Sequence, residues 1–410
     1  MNKTVRHMVM MVFLLMALGV SVVSAQDEEE ETVVVKIGAI HPLTGGLAND
    51  GIGMDQAIQM AVDEINESGM LEGFTLELVS ADSTGAADVG QSEAERLIEE
   101  EGVSVLLGTF QSAVTGNVAT VSARDGVPLL VTVAAATEIT ERGRSEDDTQ
   151  WTFRIQPNAD VMGSLAAQYL TEIAEAFDQP ISTVAYMHEG ATDYGRSVYG
   201  AFEAEAEEQE IDIIETIAYE FGTDYTTDVT LVSASAPDAV LVTGYYGDGL
   251  TIAQNMEDVA LNVPFVMGVA QGTYDQDLFV EDAGELAECF MNSNYRWDNL
   301  NEDALDVRER YMERFEEPMT AADAISWQTV YIAADAIMRA ESGDPAAIRD
   351  ALEETEYEDH VLPYDGPITF AEGEVPNAVP VVMQVQDGEI VQVWPEEIAE
   401  AEPRFCTSWN

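Results

Sequence analysis

The sequence predicts an α/β protein made of two units, each a parallel β-sheet with helices on both faces. Short, continuous apolar runs alternate with amphipathic segments from Val33 onward, the pattern of strands buried on both sides and joined by crossover helices. The alternation pauses near Gln156 and then restarts, so the architecture is repeated. The chain has 410 residues, room for two or three domains. Its composition, 46% hydrophobic and 23% charged, is that of a folded chain.

Val33–Ile40 reads as the first buried strand, followed by the turn His41-Pro42-Leu43-Thr44-Gly45-Gly46. Met54, Ala57, Ile58, Ala61, Val62 and Ile65 then fall on one face of a helix. Phe74–Ala81 is a strand, Ala86–Glu100 a helix, Val103–Leu107 a strand, Ser112–Arg124 a helix and Val127–Val131 a strand. The second unit opens with a helix at Ala159–Ala176 and a strand at Ile181–Met187. The loop His188–Tyr194 leads into a helix from Gly195 to about Glu208, and strands follow at Ile211–Tyr219, Ala239–Thr243 and Val263–Met267. Beyond Glu288 the pattern gives three helices, Asp303–Phe315, Ala321–Ala340 and Pro345–Glu354. A strand at Pro367–Phe370 and a hairpin of Val379–Gln386 and Glu389–Trp394 about Asp387-Gly388 complete the fold.

The N-terminus has the layout of an export signal. Met1–Arg6 carries Lys3 and Arg6, Met8–Val20 is apolar, and Val23-Ser24-Ala25 offers small residues for cleavage. A membrane anchor would not be followed at once by Gln26-Asp27-Glu28-Glu29-Glu30-Glu31, and no nearby cysteine could carry a lipid. The expectation is a signal peptide over residues 1–25, an acidic linker over 26–32, and a mature protein in the periplasm or otherwise outside the cytoplasm.

Asp and Glu number 78 against 16 Lys and Arg, for a net charge of −62. Such a surface repels nucleic-acid phosphates and anionic lipids, which makes both poor partners. It also repels itself, and molar salt screens that repulsion, so a halophilic protein is expected. Cys289 and Cys406 suit an exported chain with one disulfide. Catalytic signatures are missing: the sequence has no phosphate-binding glycine loop, no nucleophile elbow and no metal spacing among its histidines. An enzyme is not expected, and no cofactor is implied.

In open α/β sheets, ligands bind beyond the carboxyl ends of the strands. There the sequence places Gly108-Thr109-Phe110-Gln111-Ser112-Ala113 and Ala134-Ala135-Ala136-Thr137-Glu138-Ile139-Thr140. Small residues let backbone approach a ligand, and hydroxyls at helix starts donate to anions, though such hydroxyls also serve as plain helix caps. The ordered set Ile37–Gly45, Gly108 with Ser112, Ala135–Thr140, His188 with Tyr194-Gly195, and Gly244-Tyr245-Tyr246 resembles the type I periplasmic solute-binding proteins, in particular the leucine/isoleucine/valine- and amide-binding group.

That resemblance implies two Rossmann-like lobes joined by three crossovers, placed near Gln156, Cys289 and Asn377. Lobe I would hold residues 33–156 and 290–376, lobe II residues 157–289 and 377–395, and 396–410 would form a tail. It implies that the lobes close on a small solute and hand it to the permease of an ABC importer, as a monomer. Ser112 and Thr137 match the hydroxyls that hold an amino-acid carboxylate, and Ala135 and Ala136 the backbone beside it. Tyr194, and Tyr245 or Tyr246, match cleft tyrosines. In amino-acid-binding relatives an acid in the loop after a strand like Val263–Met267 pairs with the ligand ammonium. Here that loop reads Gly268-Val269-Ala270-Gln271-Gly272, with Gln271 but no acid. Asp248 is the first replacement expected, with Asp50 (where some relatives carry an aromatic) and Asp193 as the others. A branched-chain amino acid is the first-choice cargo. A short amide, an acid without an amino group, or a sensory role on the same fold are the alternatives.

Overall fold

A computed structural model describes residues 32–405. The expected signal peptide, the linker up to Glu31, and Cys406 lie outside the described residues. Among the described residues, no helix is long and apolar enough to cross a membrane.

The first lobe is built on a five-stranded parallel sheet of order β2-β1-β3-β4-β5. Its strands are β1 (Val33–His41), β2 (Phe74–Asp82), β3 (Val105–Gly108), β4 (Leu129–Val131) and β5 (Thr152–Arg154). The helix Ala48–Ser68 packs its Met54, Ala57, Ile58, Ala61 and Ile65 face against the alanine-rich helix Ala321–Ala340, and the two share one core with Val35, Ile37 and Leu107 of the sheet. This helix begins ahead of its apolar face because Gly51 lets it start hard against the preceding loop. A Cβ at Gly51 would stand 2.2 Å from the Pro42 carbonyl oxygen.

The second lobe carries seven strands in the order β14-β13-β10-β9-β8-β6-β7. They are β6 (Thr183–Glu189), β7 (Asp212–Tyr219), β8 (Ala239–Thr243), β9 (Val266–Val269), β10 (Met291–Asn294), β13 (Val381–Gln386) and β14 (Glu389–Trp394). The strands β7, β6, β8, β9 and β10 run parallel, and the terminal hairpin adds two antiparallel strands on β10. A short antiparallel pair, β11 (Glu356–Tyr357) and β12 (Ile368–Thr369), lies apart from both sheets.

Two sequence expectations shift by proline chemistry. β4 begins at Leu129 and β9 at Val266, because Pro128 and Pro264 have no N–H to give to a ladder. Three strands have no counterpart in the apolar pattern, β5, β10 and the two-residue β11. β10 requires a correction: assigned from sequence to the stretch 290–376 of lobe I, it pairs with β9 and β13 inside the second sheet. The middle crossover therefore follows Asn294 rather than Cys289, and Trp297 is the next large side chain in the first-lobe core.

Candidate ligand-binding site

The loops at the carboxyl ends of the strands converge on a cavity of ≈ 600 Å³ of space between atoms, open solvent included. Its walls come from both lobes: Ser112, Ala135 and Ala321 belong to the first, Tyr194, Tyr245, Ala270 and Asp275 to the second.

One wall is a helix start. Ser112 opens the helix Ser112–Asp125, whose first N–H groups have no partner within the helix. The Ser112 Oγ is nearly buried and accepts from the Ala136 N–H at 3.2 Å. This ties the loops after β3 and β4 together. The second loop is held from behind by Arg154 on β5, which is fully buried. Its Nη1 donates to the carbonyls of Ala134 and Ala136, both at 3.0 Å, and its Nε and Nη2 form a two-point ion pair with Glu374 at 3.1 and 2.8 Å. Gln156 Nε2 donates a second bond to the Ala134 carbonyl at 3.0 Å. The backbone at Ala135 is thus set by side chains from another strand.

The opposite wall is aromatic. The Tyr245 ring packs 5.3 Å from Tyr194 and 5.8 Å from Phe110, the latter across the lobes. The Tyr194 hydroxyl donates to the carbonyls of Ala270 and, at 3.3 Å, Gly244. Phe110, Met162 and Tyr295 also line the cavity. The sequence assigns them no role, although Phe110 stands two residues before Ser112 in the loop after β3.

Two carboxylates face this space, and the sequence reading had found one. Asp50 sits in the first turn of the helix Ala48–Ser68, and burial raises its carboxyl to about 6 against a hydrogen bond from Gln276 of the other lobe. Asp275 lies between β9 and the helix Asp277–Ala283, in the loop read as lacking an acid. Asp275 stands three residues past Gly272 in the same loop. Asn292 of β10 donates to Asp275 Oδ1 at 2.8 Å, and Arg296 Nη1 stands 3.5 Å from Oδ2. Burial outweighs Arg296 and raises the Asp275 carboxyl; it also lowers the Arg296 guanidinium to about 10.

Other expected residues lie elsewhere. Asp248 is not a free carboxylate for a ligand: it accepts from the Tyr225 hydroxyl at 2.5 Å and from the N–H groups of Gly222 and Tyr245 at 3.1 and 3.4 Å. It caps its own helix, Tyr246–Asp258, and does not line the cavity. Tyr246 turns outward and donates to Asp282 at 2.8 Å. Asp193 forms surface ion pairs with Arg196 and Arg142. Gln271 lies behind the wall, between Ala270 and Gly272, which do line it. Its carbonyl accepts from Asn292 and Asn294 at 2.7 and 3.2 Å, and its Nε2 is buried without a hydrogen-bond partner. Ala136 presents its N–H to Ser112 with its side chain in the core, and Thr137 follows with Oγ1 buried and unpartnered; neither lines the cavity.

The arrangement suits a zwitterion: a helix start with hydroxyl and backbone donors on one side, carboxylates on the other, aromatic rings between. The family described as periplasmic binding protein matches residues 34–389. A Leu/Ile/Val-binding protein homolog 8 from Brucella abortus is 27% identical over 384 residues, covering 90% of this chain and 93% of that protein. Among solved structures, a leucine binding protein from Thermotoga maritima aligns with TM-score 0.75 at 21% identity, covering 87% of this chain and 97% of its own. A branched-chain amino acid transporter substrate binding protein from Streptococcus pneumoniae, in complex with isoleucine, aligns with TM-score 0.76 at 21% identity over 91% of this chain and all of its own.

Proposed function

The chain belongs to the periplasmic binding protein family, and from that premise we propose that it is the solute-binding component of an ABC importer, with a small amino acid as cargo held between its lobes. It is not an enzyme; such a protein captures its solute and performs no chemistry on it. The observation that carries the reading is the charge layout of the cavity. The solute carboxylate sits at the start of the helix Ser112–Asp125, beside Ser112 and the backbone of Ala135. The ammonium faces Asp275 and Asp50. Arg296 already balances one of these two carboxylates, so one net negative charge is left for one ammonium. Phe110, Tyr194 and Tyr245 enclose the rest. Hinge closure between the lobes then excludes water from the solute. The site works outside the cytoplasm, reached by cleavage after Ala25, and delivers to membrane permease subunits.

Calorimetry in molar salt with leucine, isoleucine, valine, short amides and simple carboxylic acids tests this. An amino acid should bind with one-to-one stoichiometry. Ser112→Ala should weaken it by about 1–3 kcal/mol, the cost of stripping a partner from a charged group. Wild-type affinity in that variant would remove the carboxylate from this wall.

A further inference from the structure

A second cavity adjoins the first. The two share Asp50, Asp275, Gln276 and Thr320 in their walls. The second is the larger, ≈ 1310 Å³ of space between atoms against ≈ 600 Å³, open solvent included in both. Seven of its 17 lining residues are Asp or Glu, an excess even over the 78 such residues in the 410 of the chain. No Lys, Arg or His lines it.

Most acids in this chain are solvated surface groups, and a cluster of them would mean little. Asp323 differs. It is 2% exposed, lines the second cavity, and has one oxygen committed and one not. Oδ2 accepts from the Thr320 N–H at 2.8 Å, capping the helix Ala321–Ala340, while Oδ1 has no hydrogen-bond partner. Gly53 of the facing helix makes room for that oxygen, since a Cβ there would stand 2.7 Å from it. Trp297, in the same wall, carries two arginines, and neither is ion-paired with Asp323. Arg296 is paired with Asp275, and Arg296 and Arg308 lie over the Trp297 ring at 3.8 and 4.1 Å. Asp50 and Glu317, both in the wall of this cavity, add negative charge against Asp323; with burial as the larger cause, its carboxyl is raised to about 7. A buried carboxylate oxygen in this position is satisfied by a cation or by a retained proton. Among the described residues, no group of three or more His, Cys, Asp or Glu is placed to hold a metal ion, which leaves an organic cation or the proton.

We propose that Asp323, with Asp50 beside it, receives a cationic group at the far end of the solute, so that the cargo is an amino acid with an ammonium or guanidinium side chain rather than a branched aliphatic one. The proposal rests on the reading that an amino acid fills the first cavity. A site built around an unpaired polar group discriminates strongly, because an analogue lacking the matching group leaves that group unpaired. A leucine side chain directed here would do so.

The test is calorimetry of the whole chain with lysine and arginine, each against an uncharged counterpart of similar length, norleucine and citrulline, with leucine and isoleucine alongside. The basic amino acids should bind about tenfold tighter than their counterparts or better. Asp323→Asn should narrow that preference while leaving norleucine little changed, whereas Asp50→Asn, which also removes a partner of the α-ammonium, should weaken both and lysine the more. Asp323 also caps a helix, so a melting curve accompanies that variant. If it fails to fold, Asp50→Asn and the wild-type series still decide the matter. Norleucine, leucine or isoleucine binding as tightly as lysine overturns the proposal and leaves the amino-acid reading standing. Binding of no amino acid at all overturns both.

Discussion

His41 ends β1 directly before the loop that carries Asp50 to the cavity. Its ring is completely buried, and neither Nδ1 nor Nε2 has a hydrogen-bond partner. Burial therefore disfavours the imidazolium and lowers the group from 6.5 to about 3. The sign follows from proton counting. Below pH 6.5 the unfolded chain takes up a proton at this position, and the folded chain does not until about pH 3. The unfolded state binds more protons in that window, so stability falls as the pH falls. At pH 5, about 1.5 units below the free imidazole value, the loss is about 2 kcal/mol, and it grows to about 4–5 kcal/mol by pH 3. The assay is urea denaturation of the wild type and His41→Gln at pH 7 and pH 5, in roughly 2 M NaCl to hold surface repulsion constant. Acidification also neutralises carboxylates, but it does so equally in both proteins. Between the two pH values the wild type should lose about 2 kcal/mol more than the variant, whatever the variant's own stability. Equal losses would mean that the ring is hydrated or paired and that its burial carries no proton linkage.

Arg154→Met removes the donors from the carbonyls of Ala134 and Ala136 and takes the cation from Glu374, which keeps the Thr140 hydroxyl. The buried carbonyls left without a donor should cost about 1–3 kcal/mol in urea denaturation, and no measurable loss would show that the loop after β4 holds itself. With 78 acids against 16 bases, the melting temperature should climb between about 0.1 and 2 M NaCl, as screening relieves self-repulsion; a flat or falling trend contradicts the halophilic reading. Gln384 Nε2 donates to the carbonyls of both Cys289 and Arg404, at 3.3 and 2.7 Å, which brings the chain just before Cys406 beside Cys289. Thiol titration of the unfolded, unreduced protein should accordingly find no reactive thiol, and two would disprove the pairing.

The layered α/β plan was legible because it depends on periodicity, which is local. The helices Ala159–Ala176 and Ala321–Ala340 and the strands Ala239–Thr243 and Glu389–Trp394 begin and end where the apolar pattern does. Ser112, Ala135, Tyr194, Tyr245 and Asp50, all named from sequence, line one cavity because strand ends in such a sheet converge on one crevice. Tertiary structure decided the polar interior. β5 and β10 lack an apolar run, and their buried Arg154 and Asn292 are tolerable because Glu374 and Asp275, together with the carbonyls of Ala134, Ala136 and Gln271, meet their polar groups. The same distinction separates the acids. Asp248, Asp275, Asp50 and Asp323 are one residue type among 78 acidic positions. Asp248 spends its carboxylate on a helix start and Tyr225, Asp275 shares its charge with Arg296, and Asp323 keeps one oxygen unpaired. A carboxylate's role is fixed by which donors and cations surround it, and in this chain most of those neighbours are set by packing rather than by sequence order.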